Sequence, residues 1–226
     1  MRVTEIFYSL QGEGFLTGIP SVFVRLSGCP LRCRWCDTKY AWDKDSGIEK
    51  SIEDIIAEVS CWPCNNVVIT GGEPMINPDL PQLVQAFKDN DSHITIETSG
   101  IAYIPDMPCD LMSISPKLSN SIPLDEKLRA SHDDFRLDLA VLGELIENYD
   151  FQLKFVVDDE FDLPEIEETL EKLCLVEYDK VMLMPQASTR EELIEKSQMV
   201  ADLCIRTGFA FSQRLQVLLW DNQKGC

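Results

Sequence analysis

The chain has 226 residues, and its 45% hydrophobic content is enough to bury one core, so we predict a single domain spanning 1–226. Its 20 Lys and Arg face 39 Asp and Glu, and the net charge of −19 disfavours non-specific binding to nucleic acid or to anionic membranes. The first residues lack a signal-peptide pattern, no apolar stretch is long enough to span a bilayer, and the nine cysteines are expected to be reduced or metal-bound, which predicts a cytoplasmic protein.

Short runs rich in β-branched residues alternate with segments of helical period along the chain. The predicted strands are 21–27, 66–70, 93–98, 110–115, 151–157 and 180–184, and the predicted helices are 51–60, 78–90, 131–148, 163–174 and 190–207. A short loop containing proline takes the place of a helix between the third and fourth strands. The predicted fold class is therefore α/β, a partial, open TIM-type βα barrel with about six parallel strands, too few for a closed barrel.

Five of the predicted strands lead into segments that are unusual for simple turns. These segments are GCPLRCRWC (28–36), TGGEP (70–74), ETSG (97–100), SPK (115–117) and MPQ (184–186). The carboxyl ends of parallel strands open on one face of a βα fold, and that face carries the chemistry. We therefore expect all five segments to converge on one site.

Cys29, Cys33 and Cys36 lie within eight positions of one another, and no fourth cysteine follows closely. Three interpretations are open on the residues alone. The cysteines could be core thiols, three ligands of a zinc ion, or ligands of an iron–sulfur cubane that leaves one iron free to be chelated by an amine and a carboxylate. The candidates for a fourth zinc ligand are Cys61, Cys64 and Cys109.

Residues 29–36 read CPLRCRWC, a Cys-x3-Cys-x2-Cys pattern with an aromatic residue before the last cysteine, which resembles the radical S-adenosylmethionine (SAM) enzymes. TGGEP is similar to the segment with which those enzymes hold the methionyl amine. The chemistry of the residues agrees, because Gly71 and Gly72 let the backbone approach a ligand and Glu73 offers an acceptor to an ammonium. YSLQGEG (8–14), VRLSGC (24–29), CDT (36–38), LKFVV (153–157) and LQVLLW (215–220) narrow the resemblance to the 7-carboxy-7-deazaguanine synthase (QueE) family.

The resemblance implies a lyase of queuosine and 7-deazapurine biosynthesis. Such an enzyme uses a 4Fe–4S cluster, SAM and Mg²⁺ to contract the ring of 6-carboxy-5,6,7,8-tetrahydropterin to 7-carboxy-7-deazaguanine with loss of ammonia. It implies a flavodoxin or ferredoxin as electron donor and a homodimer. Two alternatives stay open: a radical SAM activase acting on a glycine of a partner protein, and a zinc-binding interaction module.

The resemblance also implies a role for each matching residue. The cluster ligands would be Cys29, Cys33 and Cys36, the magnesium ligand would be Thr38, and the groups for proton transfer would be Glu97 and Lys117. The SAM-binding residues would be Trp35, Cys36, Asp37, Gly72, Glu73, Ser115, Pro116, Lys117 and Gln186. The substrate-binding residues would be Leu10, Gln11, Gly12, Glu13, Arg25, Thr70 and Gln216.

Three of these assignments have alternatives. Apart from the resemblance, Thr38 would be interpreted as an ordinary cap or turn residue, and the alternative for Arg25 is a salt bridge to a protein acid such as Glu97. Gln216 stands where the family carries the histidine of a QxH triplet. A glutamine can still donate and accept hydrogen bonds, but it cannot take over an acid–base role near neutral pH.

Overall fold

A computed structural model describes residues 1–174, 177–221 and 223–225. In this part of the chain nine strands form one sheet in the order β3-β1-β2-β4-β5-β6-β7-β8-β9. Their bounds are β1 Arg2–Leu10, β2 Pro20–Leu26, β3 Ile48–Glu49, β4 Asn66–Gly71, β5 His93–Thr98, β6 Leu111–Ile114, β7 Phe151–Val157, β8 Val181–Pro185 and β9 Ala210–Phe211. The six predicted strands correspond to β2 and β4 to β8, and their ends agree to within one residue or so.

The sheet is open, as the sequence predicts, and its strands are mostly parallel. Strands β2 and β4 to β9 pair in parallel, whereas β1 pairs antiparallel with β2 and with the short β3. The carboxyl ends of the parallel strands consequently meet at one edge of the sheet. No helix lies between β5 and β6 in the described chain, so the predicted loss of that helix is confirmed.

Helices cover the sheet, and their bounds are α1 Ile52–Val59, α2 Leu80–Lys88, α3 Glu126–Phe135, α4 Leu139–Asn148, α5 Leu163–Lys172, α6 Arg190–Thr207 and α7 Leu215–Trp220. The single helix predicted over 131–148 is wrong, because two helices occupy that region. The carboxylate of Asp138 accepts the backbone N–H groups of Ala140 and Val141 and so begins α4 as a new helix. The preceding residues had offered no glycine or proline to signal the break.

The core lies between the sheet and its helices. Ile69, Ile96, Ile114, Leu153 and Phe155 from neighbouring strands are all inaccessible to solvent. Every residue of β7 is buried, which is typical of a central strand covered on both faces. Within the described ranges, none of the helices combines the length and the apolar character needed to cross a membrane.

Candidate active site

A cleft of about 380 Å³ opens at the carboxyl ends of the parallel strands. Its walls contain all of the site residues predicted from the sequence except Glu73 and Pro116. The five segments that follow the predicted strands therefore do meet at one place. Beside them the cleft is lined by residues to which the sequence analysis had given no role, among them Phe7, Tyr40, Lys154 and Arg214.

The cysteine loop, residues 28–42, bends back on itself so that its thiols face this cleft. The N–H of Gly28 donates to the carbonyl of Ala41 at 2.8 Å, and the N–H of Cys29 donates to that of Trp42 at 3.1 Å. The guanidinium of Arg32 lies against the Trp42 ring, 5.1 Å from its centroid, and donates to the Cys29 carbonyl at 2.5 Å. The loop is thus closed by its own backbone and by one of its own arginines.

Burial raises the pKa of the Cys29 thiol to about 12 and that of Cys33 to about 11. A thiolate at either position therefore needs a positive partner, and a metal that binds sulfur provides one. In the described residues no three His, Cys, Asp or Glu side chains lie close enough to hold a single metal ion. A cubane takes one thiolate on each of three separate irons, so three free thiols spread around one cleft fit it.

The glycines of TGGEP permit a close approach of protein backbone, and their predicted approach to a ligand stays a prediction. A Cβ on Gly71 would lie 2.1 Å from the Leu26 carbonyl oxygen, and a Cβ on Gly72 would lie 2.1 Å from that of Gly28. Gly71 also has a φ of +138°, which L-residues rarely adopt. The N–H of Glu73 donates to the Gly28 carbonyl at 2.8 Å. This segment consequently fixes the start of the cysteine loop.

The Glu73 carboxylate lies beneath the wall of the cleft, and only 2% of the residue is exposed. One oxygen accepts the Met75 N–H at 3.1 Å and the Thr98 hydroxyl at 2.7 Å, and the other accepts the Ser99 N–H at 2.8 Å and its hydroxyl. In this arrangement Glu73 joins the end of β4 to the end of β5. Its predicted contact with the SAM amine stays a prediction.

A buried charge network centres on Glu13. Its Oε2 accepts from Lys154 Nζ at 2.9 Å, and its Oε1 accepts from Gln216 Nε2 at 2.8 Å and from Arg214 Nε at 3.2 Å. Burial alone would raise the pKa of Glu13, but the Lys154 and Arg214 charges outweigh it and hold that pKa well below its usual range. Glu13 is therefore ionised and acts as a hydrogen-bond acceptor only. The Oε1 of Gln216 is buried and has no partner within the described chain.

Arg214 joins three parts of the site. Besides Glu13, its guanidinium donates to Asp37 Oδ2 at 2.6 Å and to the carbonyl of Ala187, which follows Gln186. Burial alone would lower the pKa of Arg214, but the negative charges of Glu13 and Asp37 raise it by more and leave it above the ordinary value. Arg214 thus ties the loop that carries Glu13 to the cysteine loop.

Glu97 stands beside this network. Its carboxylate accepts from Gln11 Nε2 at 3.1 Å and from the Thr70 hydroxyl at 2.9 Å, and Lys154 Nζ lies 4.0 Å away. Arg25 does pair with a protein acid, but that acid is Glu5 and not Glu97: Arg25 Nε donates to Glu5 Oε1 at 2.7 Å. The same oxygen accepts the Tyr40 hydroxyl at 2.7 Å. The pair holds the Arg25 guanidinium at the cleft wall.

Most of the residues predicted to contact SAM also line the cleft. Lys117 Nζ donates to the carbonyl and hydroxyl of Ser115 and lies 5.7 Å from the centre of the Trp35 ring. Lys196 donates to Gln186 Oε1 at 2.9 Å and so orients that amide. Thr38 lies at the wall with its hydroxyl 3.7 Å from the Cys36 sulfur, and it caps no helix through its side chain.

Sequence reasoning missed Lys154 and Arg214. A lysine within the mainly apolar FQLKFVV strand was a usable signal, since a buried ammonium requires a partner. Nothing in the local sequence of Arg214 indicates its role, because its partners Asp37 and Glu13 are 177 and 201 residues away.

Comparison with known proteins assigns this architecture to a class. Residues 23–138, which contain the three cysteines, TGGEP and SPK, match the family model described as the Radical SAM superfamily. The fold and the cysteine loop together thus define a radical SAM enzyme.

Relatives over the whole chain narrow the class. The 7-carboxy-7-deazaguanine synthase of Halobacterium salinarum is 42% identical over 98% of this chain and 91% of its own length. That of Rhodopirellula baltica is 40% identical over 100% of this chain and 88% of its own. The crystal structure of QueE from Escherichia coli superposes with a TM-score of 0.73 at 28% identity, covering 93% of this chain and 92% of that one. The chain belongs to the 7-carboxy-7-deazaguanine synthase family of radical SAM enzymes.

Proposed function

We propose that the protein, as one catalytic domain, converts 6-carboxy-5,6,7,8-tetrahydropterin to 7-carboxy-7-deazaguanine with loss of ammonia. The observation that carries the proposal is that one cleft is lined both by the three cysteines and by the ionised Glu13. A cluster on the cysteines and SAM beside it would, when bound, supply the radical that takes hydrogen from the pterin. The chemistry of bond cleavage belongs to these groups, and the chain positions them and excludes water.

The proposed substrate seat is formed by Glu13 and its neighbours. An aminopyrimidinone ring presents N–H donors along one edge, and an ionised carboxylate beside the backbone of Leu10 to Gly12 is suited to accept them. The unpartnered Oε1 of Gln216 offers a further acceptor. Arg25, held by Glu5 through its Nε, would receive the substrate carboxylate, and Thr70 would lie between substrate and cofactor.

The proposed SAM seat lies along the wall formed by Trp35 to Asp37, Gly72, Ser115 to Lys117 and Gln186. The amide of Gln186 is oriented by Lys196, and Lys117 is held over Trp35. Glu97 and Lys117 are the groups we assign to proton transfer, because both are titratable and both line the cleft. Gln216 cannot titrate near neutral pH, so no proton is routed through it.

Mg²⁺, the electron donor and the dimer complete the proposal. Thr38 would contribute one hydroxyl to Mg²⁺, which keeps waters and borrows substrate oxygens, so the ion would bind well only with substrate present. A flavodoxin or ferredoxin would deliver the electron in the cytoplasm. In the described sheet β3 pairs with β1 only at Arg2 and Val3, so the rest of that edge of β1 is open, which supports a homodimer that covers it.

The test is anaerobic reconstitution with iron and sulfide, followed by reduction with dithionite in the presence of SAM, Mg²⁺ and 6-carboxytetrahydropterin, read by mass spectrometry. We expect a brown protein that forms 7-carboxy-7-deazaguanine in a magnesium-stimulated reaction. Formation of 5′-deoxyadenosine without a deazapurine would refute the substrate and leave the radical chemistry. A Gln216→Ala variant that binds the pterin as well as the parent chain would remove that residue from the seat.

A further inference from the structure

His132 lies on α3, 100 residues after Arg32 of the cysteine loop, yet it forms a hydrogen bond with that loop. It is completely inaccessible to solvent. Its Nδ1 accepts the backbone N–H of Arg32 at 3.0 Å, and its Nε2 lies 3.0 Å from the hydroxyl oxygen of Ser121. A backbone N–H can only donate, so Nδ1 carries no proton and Nε2 carries the ring proton, which it donates to Ser121.

Ser121 extends this hydrogen-bonded connection to the other side of Cys33, which lies between Arg32 and Arg34. Its hydroxyl donates to the Leu118 carbonyl at 2.6 Å, and its own carbonyl accepts the N–H of Arg34 at 2.9 Å. Arg32 and Arg34 are the two neighbours of Cys33 in the chain. The backbone amides on both sides of Cys33 are therefore held by one buried pair, His132 and Ser121.

We propose that His132 is a positioning residue that, together with Ser121, fixes the backbone around Cys33 so that its thiol faces the cluster. The proposal rests on the cluster that Cys29, Cys33 and Cys36 would bind and not on the identity of the substrate. Three thiols must reach three irons of a rigid cube, so the loop needs more restraint than its own turn bonds provide. An outer contact of this kind sets the geometry of metal ligands without touching the metal.

An ordinary core residue would act only by filling space, whereas a positioning residue acts through its hydrogen bonds. Substitutions of His132 separate these two roles. His132→Leu keeps the bulk and removes both hydrogen bonds. His132→Asn places an acceptor near the position of Nδ1 and so keeps the bond to the Arg32 N–H. His132→Gln places its polar group near Nε2 and leaves the Arg32 N–H without a partner.

His93→Asn is the matched control, because His93 is the chain's other histidine and lies at the amino end of β5, away from the cleft. The measurement is the rate at which the reconstituted, reduced proteins release iron to a coloured chelator without SAM or pterin. Thermal unfolding of each apoprotein is recorded in parallel.

We expect His132→Leu and His132→Gln to release iron about tenfold faster than the parent chain, since a lost buried hydrogen bond shifts an equilibrium by roughly that factor. His132→Asn and His93→Asn should stay within about twofold of it, even where His132→Asn unfolds at a lower temperature. Release rates that follow the unfolding temperature across all variants, or that equal the parent rate, would overturn the proposal. A parent chain that takes up no iron would overturn the cluster assignment itself.

Discussion

Lys154 is the residue whose removal tests the charge network most directly. Its ammonium lies 2.9 Å from Glu13 and 4.0 Å from Glu97, on a strand that is buried throughout. At an effective dielectric constant of about 20 these two pairs amount to roughly 6 and 4 kcal/mol of attraction, against several kcal/mol for removing the ammonium from water. Lys154→Met leaves Glu13 with Arg214 and Gln216 as partners. It also removes the ammonium that offsets the repulsion between the carboxylates of Glu13 and Glu97. We expect a loss of about 3 kcal/mol, the lower end for breaking a buried pair.

The assay is urea unfolding of the apoprotein at pH 7, with the slope compared between variants so that a shifted midpoint reports stability. Lys172→Met is the control, because Lys172 forms an exposed pair with Glu168 and its loss should leave the midpoint unchanged. The double variant Glu13→Gln/Lys154→Met should cost less than the sum of the single variants by about 2 kcal/mol. A Lys154→Met midpoint close to that of the parent chain, or full additivity in the double variant, would refute this account of the network.

Three further changes test other parts of the site. Glu13→Gln should destabilise the protein near pH 7. Because the folded pKa of Glu13 lies below its ordinary value of 4.5, the loss of stability should be constant above about pH 6 and should shrink as the pH falls below 4.5. Unfolding of both proteins, measured across this pH range, would check the expectation. Gly72→Ala should cost about 1–3 kcal/mol and speed iron release, since its Cβ would press on the Gly28 carbonyl; an unchanged unfolding midpoint would contradict the close approach. Lys196→Met should weaken SAM binding several-fold by freeing the Gln186 amide, with little change in stability, and equal SAM affinity by calorimetry would argue against that orienting role.

The parts of the fold that the sequence predicts are those with a local signal. Buried parallel strands such as those in NVVIT and KVMLM are short, nearly continuous apolar runs, and these runs and their bounding turns are visible in the sequence alone. Strand β1 has no such run: its residues alternate only weakly, and it forms because β2 offers a partner through an antiparallel return. The split between α3 and α4 depends on the side chain of Asp138, whose capping role competes with helix continuation by a margin that propensity does not reveal.

The site divides in the same way. Cys29, Cys33 and Cys36 are close in sequence, and their spacing identifies them. Glu13 lies in the recognisable segment YSLQGEG. The pairing of Glu13 with Lys154 and Arg214 has no local signal, because these residues are distant in sequence and only the fold brings them to Glu13. The glycines of TGGEP were recognised as a point of close approach, but only the packed structure shows that the carbonyls of Leu26 and Gly28 lie against them.

The tie from Arg214 to Glu13 and Asp37 has a consequence for the time course of biosynthesis. The cysteine loop and Glu13 leave the ribosome early, whereas residues 212–217, which hold them together, follow only after β8 and α6. At typical rates of synthesis of about 5–20 residues per second, a delay of roughly ten seconds or more separates the two. During that interval the thiols are present without the guanidinium of Arg214, which joins their loop to Glu13. A nascent chain can therefore present the three cysteines proposed as cluster ligands well before the proposed substrate site is complete.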